Sequence, residues 1–173
     1  MEIRLLTADD ASAYWNFRLE ALEREVEAFS ASAAEHRSIS LQDVKSRLGP
    51  DPANFFVVGA LEADRLVGTA GFYREKGPKT RHKGRIWGVY VTSQVRGQGV
   101  GRALMRALLQ RASSIEGIEQ IELSVATTQS AAAALYRSLG FESFSREPRA
   151  LRIGDHYVDE EYMVLFVDRP HRH

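Results

Sequence analysis

The sequence predicts an α/β domain in which helices flank a mixed β-sheet. Three observations support this fold class. Residues 55–61 and 65–73 are apolar, β-branched runs joined by Ala63-Asp64, which is typical of a β-hairpin. Two strand-to-helix units follow, at 86–112 and 118–139, and a second hairpin with its turn at Gly154-Asp155 closes the chain. This order of elements predicts antiparallel and parallel strands in one sheet.

Length and composition narrow the class of protein. The 173 residues include 23 Lys and Arg and 23 Asp and Glu, so the charges balance. No net positive charge therefore favours nucleic acid or an anionic membrane as a partner. The chain contains no Cys, which excludes disulfides, thiolate metal sites and a covalent Cys mechanism. The N-terminal residues are too charged for a signal peptide, and no run is long enough to span a membrane. We therefore expect one cytoplasmic domain over residues 1–168 and a short tail at 169–173.

The remaining elements follow from apolar spacing and from helix caps. Residues 3–6 predict a strand, and a capped helix follows with a loop of small residues at 29–33 behind it. The apolar residues that share one face of this helix by spacing are Trp15, Leu19, Leu22 and Val26. A second helix is predicted at 41–48. Beyond the first hairpin, the predicted strands are 86–91, 118–125, 141–153 and 156–167, and the predicted helices are 99–112 and 130–139.

The most informative local feature is the glycine-rich turn between the strand at 86–91 and the next helix. Gly97, Gly99 and Gly101 lack a Cβ at alternate positions, so main-chain N–H groups can converge on one point. The helix N-terminus adds unpaired N–H donors and a partial positive charge. The turn is therefore suited to an anion, above all a phosphate.

Two common phosphate motifs do not fit this turn. A P-loop requires Gly-Lys-Ser/Thr, but Gly101 is followed by Arg102 and Ala103. A dinucleotide turn requires Gly-x-Gly-x-x-Gly, and the third glycine position is Arg102 or Leu104 here, depending on register. The pattern that remains is Arg-x-x-Gly-x-Gly, which begins at Arg96.

That pattern resembles the acetyl-CoA pyrophosphate loop of the GNAT superfamily of N-acetyltransferases, which is Gln/Arg-x-x-Gly-x-Gly/Ala after the fourth strand. A second signature of this family follows at the expected distance, from Ala132 through Leu135-Tyr136 to Gly140-Phe141. The resemblance implies the GNAT fold, an α/β fold with a mixed, mostly antiparallel central sheet of six to seven strands flanked by about four helices. In this fold the sheet is splayed between the fourth and fifth strands.

The resemblance also implies acetyl-CoA as co-substrate and no metal. Main-chain amides of residues 96–102 would hold the pyrophosphate, and residues 89–91 would run beside the pantetheine like an added strand. An amide near Tyr90 or Val91 would polarise the thioester carbonyl. The expected cofactor-binding residues are Val89, Tyr90, Val91, Arg96, Gly97, Gln98, Gly99, Val100, Gly101, Arg102, Gln129 and Tyr136.

Acetyl transfer to an amine also requires proton movement. Tyr136 stands where the family places the general acid for the CoA thiolate, although a helix can bury a Tyr for packing alone. Relatives carry a Glu that acts as the general base at one of two positions, and these positions are Arg85 and Ser124 in this chain. Glu122 shares a strand face with Ser124 and is a candidate base, or else a salt-bridged strand carboxylate. Water relayed by Ser124 and Tyr90 is a further alternative.

The implied acceptor groove lies between the first two helices and the last hairpin. Its candidate residues are Arg18, Phe29, Ser30, Tyr73, Trp87, Tyr157 and Tyr162. An acidic group on the last hairpin, which could attract a cationic amine, comprises Asp155, Asp159, Glu160 and Glu161.

The predicted function is therefore N-acetylation of a primary amine by direct attack in a ternary complex, with a small amine or an amino-acid-like acceptor favoured. Two alternatives stay open: a protein N-terminal or lysine acetyltransferase, and a catalytically silent acyl-CoA-binding module. Dimers are common in the superfamily, so a homodimer is a further expectation, whereas nucleic acid and membrane partners are not expected.

Overall fold

The computed structural model describes residues 1–167, and the tail predicted at 169–173 lies outside these residues. Within them the chain forms seven strands and five α-helices. In chain order the elements are β1 (Glu2–Leu5), α1 (Ala11–Arg24), α2 (Ala33–Arg37), α3 (Leu41–Arg47), β2 (Phe55–Glu62), β3 (Arg65–Arg74), β4 (Lys83–Val91), α4 (Val100–Ser114), β5 (Gln120–Ala126), α5 (Ser130–Ser138), β6 (Glu142–Ile153) and β7 (His156–Phe166). The predicted fold class is confirmed.

The seven strands form one sheet in the order β1-β2-β3-β4-β5-β7-β6. All neighbouring strands are antiparallel except β4 and β5, which run parallel. The pairing of β4 with β5 extends only from Lys83 opposite Gln120 to Arg85 opposite Glu122. The remaining parts of both strands therefore leave a gap in the middle of the sheet, where the resemblance implied a splay.

A β-bulge in β4 lies at this gap. Between Trp87 and Tyr90, β4 carries two residues where β3 carries one. The first of the two, Gly88, has a φ of +62°, which glycine adopts without strain. As a result, Trp87 and Tyr90 both pack with residues of α1, while Val89 packs against the core on the opposite face of the sheet.

Helices cover both faces of the sheet. On one face, α4 buries Leu104, Met105 and Leu108 completely, in a core that includes residues of both β4 and β5. Burial of each such side chain contributes about 1.5–3 kcal/mol to folding. On the other face, Tyr14 and Phe17 of α1 pack against the sheet. The shared α4 core therefore holds β4 and β5 in place on either side of the gap.

The first helix presents a different face to the core from the predicted one. The buried residues of α1 are Ala11, Tyr14, Phe17, Ala21 and Leu22, whereas the predicted stripe was Trp15, Leu19, Leu22 and Val26. Val26 lies beyond the end of the helix at Arg24 and is 51% exposed. The spacing of apolar residues offered two overlapping faces, and packing against the sheet selects the one with Tyr14 and Phe17.

The short helix α2 was not predicted. It follows the loop of small residues and has a capping box, in which Ser32 accepts a hydrogen bond from the Glu35 N–H. Apolar spacing does not reveal a helix of only five residues, so the capping box was the feature of the sequence that could have predicted α2.

Candidate active site

The glycine-rich turn comes directly before α4. Gly97 and Gly99 have left-handed φ angles of 78° and 82°. A Cβ at either position would meet nothing within 4 Å, so the turn borders open space. Gly99 is the N-cap of α4 and supplies no side chain to bind the first amides of the helix. These N–H groups are therefore available to an anion.

A cavity of about 480 Å³, here called the cofactor cavity, extends from this turn along β4 and between α4 and α5. Its lining includes every residue expected to bind the cofactor except Gln98. Glu25, Ala28 and Phe29, which follow α1, line it as well. The volume is in the range of sites that bind small ligands and cofactors. The fold thus brings these residues together, and their role in binding stays a prediction.

The two arginines of the turn already have partners. Arg96 Nε donates to the Val91 carbonyl oxygen at 2.9 Å, and Arg96 Nη2 pairs with Glu25 at 2.8 Å. Arg102 Nη2 donates to Ser138 Oγ at 2.9 Å. Because both guanidinium groups are engaged, the main-chain amides are the donors most readily offered to a phosphate in the turn.

A smaller cavity of about 80 Å³, the gap cavity, lies between β4 and β5. Trp87 and Val89 line it from β4, Ser124 lines it from β5 and Tyr136 lines it from α5. Tyr136 lines the cofactor cavity as well, so it stands where the two cavities meet. Burial raises the pKa of the Tyr136 phenol above its ordinary value of 10.0. Its hydroxyl therefore stays protonated at neutral pH.

A buried carboxylate contacts Ser124 from the neighbouring strand. Glu160 on β7 is 9% exposed, and its carboxyl group interacts with the Ser124 side chain. Burial raises the pKa of Glu160, the Ser124 side chain lowers it, and the negative charge of Glu147 raises it. The sequence placed Glu160 only in an acidic group on the last hairpin. The register of β5 and β7 brings the two residues together, because Ser124 lies opposite Tyr162 and Glu160 stands two residues before Tyr162 on the same face of the strand. The sequence alone did not indicate this register.

Glu122 lies where β4 and β5 are still paired, away from the gap. Its buried carboxylate is 3.4 Å from Arg85 Nη2 and 3.5 Å from Lys83 Nζ, and it accepts a 2.8 Å hydrogen bond from Gln120 Nε2. It lines neither the gap cavity nor the cofactor cavity. These contacts favour the salt-bridged alternative for Glu122, and its role as a base stays a prediction.

A third cavity of about 330 Å³, the acceptor cavity, lies on the α1 side of the sheet. Arg18, Tyr73 and Trp87, which were expected to bind the acceptor, line it. Trp87 lines the gap cavity too, so the acceptor cavity and the gap adjoin. Phe29 lines the gap and cofactor cavities instead.

Three other expected acceptor residues lie outside the acceptor, gap and cofactor cavities. Ser30 is exposed after α1. Tyr157 is 49% exposed at the β6–β7 turn, with the Arg149 guanidinium 4.9 Å from its ring. Tyr162 donates a 2.6 Å hydrogen bond to Glu147, which raises the pKa of Tyr162 to about 12.

Within residues 1–167, no three His, Cys, Asp or Glu side chains are grouped so that they could hold a metal ion. In the same part of the chain, no helix combines the length and the apolar composition that crossing a bilayer requires.

Similarity to known proteins identifies the class. The family model described as Acetyltransferase (GNAT) family matches residues 17–141, which include the glycine-rich turn, the gap between β4 and β5, and Tyr136. The chain belongs to this family. Members of the family are transferases of the acyltransferase class.

Individual relatives agree with this assignment. L-amino acid N-acetyltransferase AaaT of Escherichia coli (strain K12) is 30% identical over 121 residues, which are 69% of this chain and 73% of that protein. The chain spans between 24% and 43% of the length of other curated relatives that it matches.

Solved structures share the fold. An acetyltransferase of the GNAT family from Streptococcus pneumoniae has a TM-score of 0.87 at 19% identity, with 96% of this chain and 99% of that chain covered. The protein yncA from Salmonella typhimurium, solved with its cofactor acetyl-CoA, has a TM-score of 0.83 at 21% identity, with 98% and 95% covered.

Proposed function

We propose that this chain is an N-acetyltransferase that moves an acetyl group from acetyl-CoA to a primary amine by direct attack. The observation that carries the proposal is the position of the gap cavity between the other two cavities. Val89 and Tyr136 line both the gap and the cofactor cavity, and Trp87 lines both the gap and the acceptor cavity. A thioester held along β4 and an amine bound on the α1 side would meet beside Ser124 and Tyr136.

Acetyl-CoA fits the shape and the donors of the cofactor cavity. The uncapped amides of the turn at 97–102 would bind the phosphates, and residues 89–91 would run beside the pantetheine. The Tyr90 phenol donates to Glu20 at 3.2 Å, so Tyr90 offers its main chain to the cofactor. The acetyl-CoA bound to yncA, which shares the fold, supports the same cofactor for this chain.

The chemistry then requires no covalent intermediate. The amine lone pair attacks the thioester carbonyl carbon, the C–S bond breaks and the CoA thiolate leaves. A main-chain amide near Tyr90 or Val91 would stabilise the negative charge on the carbonyl oxygen. Tyr136 would donate its proton, or a hydrogen bond, to the departing sulfur, and the proton that the attacking nitrogen loses would restore the phenol. The chain contains no Cys that could carry the acetyl group.

A base is needed because a lysine-like amine, with a pKa of about 10.4, is mostly protonated at neutral pH. We assign the proton acceptor to the Ser124–Glu160 pair. The Ser124 hydroxyl lines the gap and would pass a proton to the Glu160 carboxylate, whose raised pKa brings it closer to neutrality.

Release of free thiol from acetyl-CoA across a panel of amines, combined with calorimetry of acetyl-CoA binding, tests the proposal. We expect binding and turnover with small amines or amino acids. Turnover of peptides alone would favour the protein N-terminal or lysine alternative. Binding without turnover of any acceptor would favour a silent acyl-CoA-binding module. A homodimer and a cytoplasmic location stay predictions.

A further inference from the structure

Arg18 is a partly buried cation that forms no ion pair with the carboxylates of residues 1–167. Its Nη1 atom is buried without a hydrogen-bond partner, and no ion pair joins the guanidinium to a described carboxylate. Burial lowers the pKa of Arg18, and Tyr14 alone acts in the opposite direction. Removal of a cation from water is costly unless a counter-charge compensates for it.

Two aromatic rings hold the guanidinium in place. It lies 4.8 Å from the centroid of the Phe29 ring and 5.6 Å from the centroid of the Trp87 ring. Contacts of this kind recover only part of the desolvation cost. The Trp87 Nε1–H group is itself buried without an acceptor. Two side chains that line the acceptor cavity, one of them charged, therefore each carry an unmatched donor.

The other ionisable groups of the cavity leave an excess of positive charge. Arg47 lines the same wall, and His36 Nε2 lies 2.8 Å from the Trp15 carbonyl oxygen. The carboxylate in this lining belongs to Glu35, which is exposed and accepts from the Ser32 N–H in the capping box of α2. An anion that enters the cavity would therefore not have to displace a carboxylate from Arg18.

We propose that the acceptor is an amine that carries a carboxylate and an apolar side chain, and that Arg18 and Trp87 Nε1 bind the carboxylate. This inference rests on the proposed acetyl transfer. A guanidinium offers two parallel N–H groups and one charge, which match a carboxylate. The apolar part of the wall comprises Leu22, Ile39, Val44, Leu48 and Phe55.

An α-amino acid with an aliphatic or aromatic side chain meets these conditions. Its carboxylate at Arg18 would place the neighbouring amine beside Trp87, which faces the gap. The cofactor does not supply this anion, because Arg18 is absent from the lining of the cofactor cavity.

Binding of carboxylates that lack an amine tests the inference without turnover. We expect 4-methylpentanoate and 3-phenylpropanoate, but not their neutral amides, to raise the melting temperature of the unchanged protein. Arg18→Gln and Arg18→Met should weaken binding of these carboxylates at least about tenfold, because one partner of a desolvated charge pair is lost. Arg18→Met replaces an unpaired buried charge with an apolar chain, so we expect it to fold.

The matched control is Arg65→Gln, at an exposed position in the β2–β3 hairpin, which should bind the carboxylates like the unchanged protein. Equal affinity of Arg18→Met and the unchanged protein would overturn the inference. Failure of the unchanged protein to bind either carboxylate would overturn it as well.

Thiol release with matched amines separates this inference from the proposed function. Leucine, leucinamide and 3-methylbutylamine share a side chain and differ at the carboxylate. Phenylalanine, phenylalaninamide and 2-phenylethylamine form the corresponding aromatic series. We expect kcat/KM to favour the amino acid at least about tenfold, and Arg18→Met to remove this preference by raising KM for the amino acid alone. Similar kcat/KM for all three members of both series would overturn the carboxylate assignment and leave acetyl transfer standing. No turnover of any amine would overturn acetyl transfer, and carboxylate binding would still decide the role of Arg18.

Discussion

The Ser124 hydroxyl interacts with the Glu160 carboxyl group between β5 and β7, beside the gap that divides the sheet, and lowers its pKa. Ser124 lines the gap cavity and Glu160 does not, so the serine separates the carboxylate from the reacting atoms. A buried carboxyl group with a raised pKa exchanges its proton closer to neutral pH than a solvated one does. Under the proposed function, the pair would take a proton from an ammonium group in the gap.

Replacement of this carboxylate should change the pH dependence of the rate. We expect Glu160→Gln to lower kcat/KM about 10²–10⁴-fold at neutral pH, and less as the pH approaches the pKa of the amine, where free amine needs no base. In the unchanged protein the base must be ionised, so the rate should first rise with pH through the raised pKa of Glu160, and Glu160→Gln should lose this acid limb and keep only the rise towards the pKa of the amine. The measurement is kcat/KM from thiol release between pH 5 and pH 9.

Glu122→Gln is the matched comparison. It removes the carboxylate that pairs with Lys83 and Arg85, so we expect a lower melting temperature and an acid limb that remains. Loss of the limb in Glu122→Gln, with the limb kept in Glu160→Gln, would make Glu122 the base instead.

The raised pKa of Glu160 also predicts that replacement of this residue stabilises the folded protein. A carboxyl group whose pKa is higher in the folded state loses folding free energy as the pH rises from the ordinary Glu range through the folded pKa, because ionisation is more costly in the folded protein. Glu160→Gln should therefore raise the melting temperature above this window. At a pH below the ordinary pKa of Glu, where both states hold the proton, we expect no gain from this source. Calorimetric melting temperatures at both ends of the window check the sign.

Gly99→Asp should abolish acetyl-CoA binding and leave the protein folded. Asp tolerates a left-handed φ better than most residues, so the cost in stability should be on the order of 1 kcal/mol. The new carboxylate would enter the open space in front of the first α4 amides, where it would repel the pyrophosphate. Calorimetric titration with acetyl-CoA measures the loss.

Gly154→Asp provides the control for this change. Gly154 has a φ of 58° and open space at its Cβ, but it lies in the β6–β7 turn. We expect this variant to bind acetyl-CoA normally. Equal affinities in the two variants would place the cofactor outside the turn at 97–101.

Sequence reasoning predicted the features that depend on local geometry. The glycine-rich turn and the helix after it occupy one stretch of chain, so residue type and spacing were enough to predict the turn, in which Gly97 and Gly99 have left-handed φ angles and line the cofactor cavity. Glu160 could not be paired with Ser124 in the same way, because the contact depends on the order and register of β5 and β7. The predicted shared face of Glu122 and Ser124 does not reveal the ion pair between Glu122 and Arg85 on another strand.

Gly88→Ala should affect acceptor binding through Arg18. A Cβ at Gly88 would lie 3.4 Å from Arg18 Nη1, and its φ of +62° is strained for Ala by on the order of 1 kcal/mol. Gly154→Ala carries a similar strain with nothing within 4 Å of the new Cβ. We expect both variants to lose stability and only Gly88→Ala to raise KM for the acceptor. Equal KM values in both would show that the bulge does not position Arg18.

Tyr136→Phe separates proton donation from packing. The ring contacts Phe141 edge-on, with 6.1 Å between centroids, and Phe keeps this contact while it lacks the hydroxyl. We therefore expect a nearly unchanged melting temperature and acetyl-CoA affinity, with kcat lower by roughly ten- to ten-thousand-fold. Because burial raises the pKa of Tyr136, the hydroxyl stays protonated across the working range, and the ratio of the two kcat values should not vary between pH 6 and pH 9. An unchanged kcat would assign Tyr136 to packing alone, and a ratio that varies with pH would indicate that another group donates the proton.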